Sequence, residues 1–204
     1  MRYIELRNNL IGHKVFSIPD IRKVDADFHR RRLNEWQDKG YIQKIAKGYY
    51  IFSDIPVNDN MLYYIANRIY SPSYVSLEMA FAYYNLIPES VYAVTSVSSR
   101  RKYSFETKFG EFRYRSVKPS LFFGYRIIEE DEVKYKIAEF EKCMLDYLYL
   151  NPQYKSVKDF TALRINKDIF FENVNKKRLK RYLDRFAQKS LSKRVNKLLE
   201  YLKQ

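Results

Sequence analysis

Cysteine is nearly absent from this 204-residue chain: Cys143 is the single one. An intrachain disulfide is therefore excluded, as is a zinc site built from clustered cysteines. Histidine is almost as scarce, with His13 and His29 the only two, so no His-x-x-x-His pair exists to hold a catalytic metal on a helix face. No Gly-x-Gly-x-x-Gly or Gly-Lys-Ser/Thr loop is present to cradle a nucleotide, and no Gly-x-Ser-x-Gly elbow to present a nucleophile. Five glycines and six prolines are too few for long flexible linkers. No stretch approaches the ~20 apolar residues of a membrane span. The opening Met1–Arg7 is charged and lacks the apolar segment of a secretory signal. These absences predict a cytoplasmic protein with no membrane partner, no cofactor, no metal site and no catalytic residues.

Acidic residues are also in short supply. Lys and Arg number 38 against 24 Asp and Glu, giving a net charge of +14. Such an excess attracts polyanions, nucleic acid first. Its placement matters more than its total, and +9 of the +14 falls within residues 173–204, which hold eleven basic residues and only Asp184 and Glu200 in opposition. The 46% of hydrophobic residues and 17% of aromatics supply a real core and argue against disorder.

The first 55 residues read as a winged helix-turn-helix. Tyr3, Ile4, Leu6, Leu10 and Ile11 suggest a first helix. Ser17, with Pro19 behind it, can cap a short second helix through Ile21–Val24. Asp25 and Asp27 are candidate caps for a third over Phe28–Lys39. Its apolar stripe is Phe28, Leu33 and Trp36, with Arg30, Arg31 and Asn34 on the other side by the 3.6-residue period. Gly40 is placed to end it. Tyr41–Ile45 and Tyr49–Phe52 then form a hairpin around Ala46-Lys47-Gly48. In that arrangement the third helix enters the DNA major groove and the hairpin touches the backbone. Arg30 and Arg31 can fork onto guanine or phosphate, Asn34 can read adenine, and Lys44 and Lys47 sit where wing–phosphate contacts belong. A winged helix used only for protein contacts is the competing reading, and His29 reads as structural.

Residues 56–204 read as a second, mixed domain. In 56–127, helical faces run over Met61–Ile69 and from Leu77 through Tyr84, the latter with Ser76 as its cap. Strands follow over Val91–Ser98, Tyr103–Thr107 and Glu111–Val117. Residues 128–204 read as helical and basic. Ile137, Phe140, Met144 and Tyr147 mark one helix, Val157–Leu163 a short one, and Asn175 and Ser190 cap the last two. The fold class expected is α+β with a small antiparallel sheet and a helical C-terminal part.

An ordered series of segments carries a family resemblance. Tyr74-Val75-Ser76-Leu77-Glu78, Leu86-Ile87-Pro88-Glu89, Thr95-Ser96-Val97, Phe109-Gly110-Glu111-Phe112-Arg113-Tyr114-Arg115 and Leu121-Phe122-Phe123-Gly124, followed by Glu139–Leu150, resemble the core of the AbiEi-like antitoxins of abortive-infection, phage-defence systems. Cys143-Met144 stands where the family typically has Ala-Leu, and Tyr84 where it commonly has His. The resemblance implies a transcriptional autorepressor and antitoxin of a type IV toxin–antitoxin pair. It would bind operator DNA at inverted repeats upstream of its own operon. The toxin would be a nucleotidyltransferase-like protein counteracted without a stable complex. Apart from the resemblance, the basic run of 173–204 offers Arg178, Lys180, Arg181, Arg185 and Arg194 as a second basic surface, for DNA or a partner. A stand-alone regulator without a toxin is the alternative. A metal-dependent nuclease using Glu78, Glu89, Glu106 and Glu111 is a more distant one, since it needs two or three carboxylates on one ion.

Overall fold

The computed structural model describes residues 1–89 and 91–204. They form a mixed α and β fold with two sheets and a helical C-terminal part. The chain opens with α1 (Tyr3–Leu10), a 3₁₀ turn at Ile11–His13, β1 (Val15–Ser17), α2 (Ile18–Val24) and α3 (Arg31–Asp38). Two strands follow, β2 (Ile42–Ala46) and β3 (Tyr49–Phe52). The three strands make an antiparallel sheet in the order β1-β3-β2.

Local chemistry accounts for these boundaries. Ser17 caps α2 and its backbone N–H is in turn held by Asp20, a reciprocal capping box with Pro19 in the first turn. Gly40, at φ +70°, ends α3: its N–H donates to the Gln37 carbonyl and that of Tyr41 to Trp36, the six-to-one and five-to-two pairing of a Schellman stop. The β2–β3 turn is Lys47-Gly48 with a register shift between Lys44 and Ala46, so Ile45 is bulged. One expectation fails here. The third helix begins at Arg31 rather than Phe28, and neither Asp25 nor Asp27 caps it. Asp25 instead pairs with the N-terminal amine at 3.3 Å, and its carbonyl accepts the Phe28 N–H at 3.2 Å in a turn before α3. Leu6, Leu10, Phe16, Ile21, Phe28, Leu33, Trp36, Ile42, Tyr50 and Phe52 pack as one small core.

The remainder is built on a six-stranded sheet. After α4 (Asp59–Ile69) come β4 (Ser73–Val75), α5 (Glu78–Tyr83), β5 (Ala93–Ser98), β6 (Tyr103–Thr107), β7 (Gly110–Ser116), β8 (Tyr125–Glu130) and β9 (Val133–Ala138). The strand order is β6-β7-β5-β4-β9-β8. The expected small antiparallel sheet is thus corrected to a larger mixed one, because β5 pairs with β7 and β4 with β9 in parallel. Two hairpins, β6–β7 and β8–β9, flank the central β5–β4 pair, each laying its inner strand parallel to its neighbour. The β8–β9 hairpin escaped the sequence reading because its turn is Asp131-Glu132, both at positive φ (51° and 59°) without a glycine, whereas the usual signal for such a turn is Asn-Gly or Asp-Gly. Ile137 consequently lies in β9 and not on a helical face.

Five helices close the chain: α6 (Phe140–Leu150), α7 (Val157–Ala162), α8 (Lys167–Asn173), α9 (Lys176–Phe186) and α10 (Lys189–Leu202). Asn175 caps α9 as expected, its Oδ1 accepting from the Arg178 N–H at 2.9 Å. Ser190 does not cap α10, which starts a residue before it. Nor does Ser76 cap α5. Its hydroxyl is turned onto Asp146 (3.0 Å), and Thr95 accepts the Met79 N–H in its stead.

The two sheets share packing. Val15, Ile45 and Ile51 belong to the large core around the six-stranded sheet. Arg68 of α4 donates to Asp20 at 2.8 Å, and the Tyr64 hydroxyl to the His13 carbonyl at 2.6 Å. No helix among the described residues is long and apolar enough to cross a membrane.

Candidate nucleic-acid interface

The first residues of α3 and the β2–β3 hairpin face one another across a groove of about 650 Å³. Arg30 precedes α3, Arg31 opens it, and Asn34 lies one turn on, so all three fall on the side opposite buried Leu33 and Trp36. Lys44 on β2 and Lys47 in the turn line the opposite wall. The five residues singled out from the sequence are therefore brought together in one concavity. The sequence reading missed Arg22 at the end of α2, which joins them along with Tyr49 and Tyr50. Nothing local in the sequence marks it, because its place beside α3 depends on how α2 packs.

The electrostatics of this groove are one-sided. Arg22, Arg30, Arg31, Lys44 and Lys47 line it with no carboxylate among the lining residues. Their side chains make no ion pair or hydrogen bond among the described residues. Asp20 of α2 is turned inward onto Ser17 and Arg68. Burial opposes its ionisation, but the hydroxyl and backbone N–H of Ser17 and the Arg68 guanidinium outweigh that and hold its carboxyl below the ordinary value. Burial raises the Tyr50 hydroxyl, and the nearby Arg30 charge works the other way. A groove with five unpaired cations and the Asn34 amide has the donors to hold phosphates and read a base edge. His29 lies exposed just before the helix.

The five C-terminal basic residues do not form one surface. Arg178 is bound to Glu141, which is only 1% exposed, through a 2.6 Å contact. That hydrogen bond, against the cost of burial, raises its guanidinium pKa. Arg194 is buried and donates to the Leu148 and Asn151 carbonyls at the end of α6, and burial lowers its pKa. Arg185 lies over the Phe123 ring at 3.8 Å. Arg181 packs over Tyr182, and Lys180 lies on another side of α9. The sequence shows a charge run; it does not show that two of its members serve as internal hydrogen-bond donors.

Glu78, Glu89, Glu106 and Glu111, scattered in sequence, line one open cleft of about 770 Å³ beside Arg113, Tyr147 and Tyr154. Arg113 grips Glu111 with two 2.6 Å bonds, and Arg164 holds Glu89 at 2.8 Å. No three His, Cys, Asp or Glu side chains among the described residues are grouped to share a metal ion.

No protein-family model matches the chain, and no curated protein matches it. The AbiEi-like resemblance thus rests on the ordered segments alone.

Proposed function

We propose that the N-terminal unit is a winged helix-turn-helix that binds duplex DNA in the groove between α3 and the β2–β3 hairpin. The order α1-β1-α2-α3-β2-β3 with sheet order β1-β3-β2 is consistent with that motif. One observation carries the reading: the residues expected to touch DNA line a single groove with five unpaired cations and no carboxylate. In this reading α3 lies in the major groove, with Arg30, Arg31 and Asn34 toward the bases. Lys44, Lys47 and Arg22 hold phosphates on either side. Following the family resemblance, the chain acts by binding rather than catalysis, as an autorepressor and the antitoxin of a type IV pair with a nucleotidyltransferase-like toxin.

The test is a mobility-shift titration against the DNA upstream of the chain's own gene, with unrelated DNA as competitor. Specific binding is expected, weakening steeply with salt. Three phosphate contacts, from Arg22, Lys44 and Lys47, correspond to a slope of about −2.7 in log K against log salt. The double variant Arg30→Ala/Arg31→Ala should lose the shift while keeping its melting transition. Unchanged affinity in that variant sinks the assignment of α3.

A further inference from the structure

The end of the chain carries a groove that the DNA reading does not use. On α9, positions 176, 179, 180, 183 and 184 recur at helical spacing; on α10, positions 192, 195, 196, 199 and 203 do the same. These two stripes line a concavity of about 470 Å³ together with Phe170, Phe171 and Val174. Its floor is apolar. Val174, Leu183 and Leu199 are half-buried, and Phe171 is 38% exposed. Its rim is cationic: Lys176, Lys180 and Lys203 line it, and none makes an ion pair among the described residues. Asp184 is the one carboxylate in the lining.

We propose that this groove is a docking site for an acidic amphipathic helix of another protein. Floor and rim together select the occupant. An apolar floor offers nothing to a phosphate backbone, which a purely basic surface would suffice to hold. A lysine rim with a single opposing acid repels a second copy of this chain, whose own charge is +14. A helix with Leu or Phe on one face and Glu or Asp flanking it satisfies both floor and rim. The stripe on α10 from Ser192 to Lys203 spans about 16 Å, room for roughly three turns of such a guest. This proposal is independent of the DNA-binding reading.

Fluorescence anisotropy on the full chain tests it. The probe is a labelled peptide with Leu and Phe at i, i+3, i+4 and i+7 and Glu elsewhere. The control has the same composition in scrambled order. The ordered peptide is expected to bind and the scrambled one to bind at least about tenfold more weakly. Phe171→Gln should weaken binding without lowering the melting transition, because Phe171 is exposed. Lys176→Gln/Lys203→Gln, which removes two rim charges without reversing them, should weaken it by about tenfold or more while leaving the mobility shift of DNA unchanged. Equal binding of the two peptides, or no binding of either, overturns the proposal. So does a parallel loss of DNA affinity in the lysine variant, which would make the groove a DNA surface. Sedimentation showing a dimer that Phe171→Gln dissociates would make it a self-contact and overturn it too.

Discussion

Asp20 ties local and long-range structure together with a single carboxylate. It accepts from the Ser17 N–H at 2.9 Å and the Ser17 hydroxyl at 2.6 Å, which fixes the start of α2, and from Arg68 at 2.8 Å, which fixes the small sheet unit against α4. Because folding lowers its pKa, the unfolded chain takes up the proton more readily. The resulting stabilisation is complete above the unfolded value of about 4 and is lost as pH falls through the lower folded value. Asp20→Asn should therefore be less stable than the native chain at pH 7, by about 1–3 kcal/mol. The gap should narrow on acidification, as read by urea denaturation across a pH series. A gap that stays constant down to about pH 2.5 would show that Asp20 ionisation contributes nothing. The capping role was legible from Ser17 and Pro19. The link to Arg68, 48 residues away, was not, since no local pattern marks it.

At the scale of an element, α6 is the most informative. Every residue from Phe140 to Leu148 is buried, including Glu141, Lys142 and Asp146. The apolar face at Phe140, Met144 and Tyr147 was readable from spacing; burial of the charged side was not, because it depends on Tyr74, Ser76 and Phe123 and on α9 covering it. Lys142 and Asp146, one turn apart, form an ion pair with no exposure, and Asp146 also accepts from Tyr74 (2.9 Å) and Ser76 (3.0 Å). Lys142 lies about 5 Å from the ring centres of Tyr74, Phe123 and Phe186. Burial lowers the pKa of Lys142 and raises that of Asp146, against the attraction between them. Removing one partner strands a buried charge, so Asp146→Ala should lose roughly 3–5 kcal/mol. Replacing both, Lys142→Met/Asp146→Leu, should recover most of that loss. Denaturation midpoints of the two variants decide the point; a double variant as unstable as the single one would mean that the Tyr74 and Ser76 contacts dominate.

For the whole molecule, the three grooves differ in the charge that lines them. Cations line the groove of α3 and outnumber the single acid Asp184 in the C-terminal groove, while Glu78, Glu89, Glu106 and Glu111 line a cleft with Arg113 as its one cation. If the acidic cleft were a metal-dependent nuclease centre, added Mg²⁺ would let it nick plasmid. The expected outcome is that supercoiled plasmid incubated with the protein and Mg²⁺ stays intact on a gel. Cleavage that disappears in Glu78→Gln would replace the binding reading by a catalytic one.

The sequence by itself determined the elements whose signals are local. Caps at Ser17 and Asn175, the glycine stop at Gly40, the β2–β3 and β6–β7 turns and the apolar stripes of the helices all depend on residues within a turn or two. It also selected five residues that the structure gathers into one groove. Tertiary structure alone decided the parallel pairings of β5 with β7 and β4 with β9, which join strands with intervening segments that carry no register signal. It alone decided that Arg178 and Arg194 turn inward while Lys176, Lys180 and Lys203 stay unpaired around an apolar floor. The physical reason is common to both. Local preferences follow from steric and hydrogen-bonding terms within a few residues, whereas burial of a charge depends on what packs over it, and that is fixed only when distant segments meet.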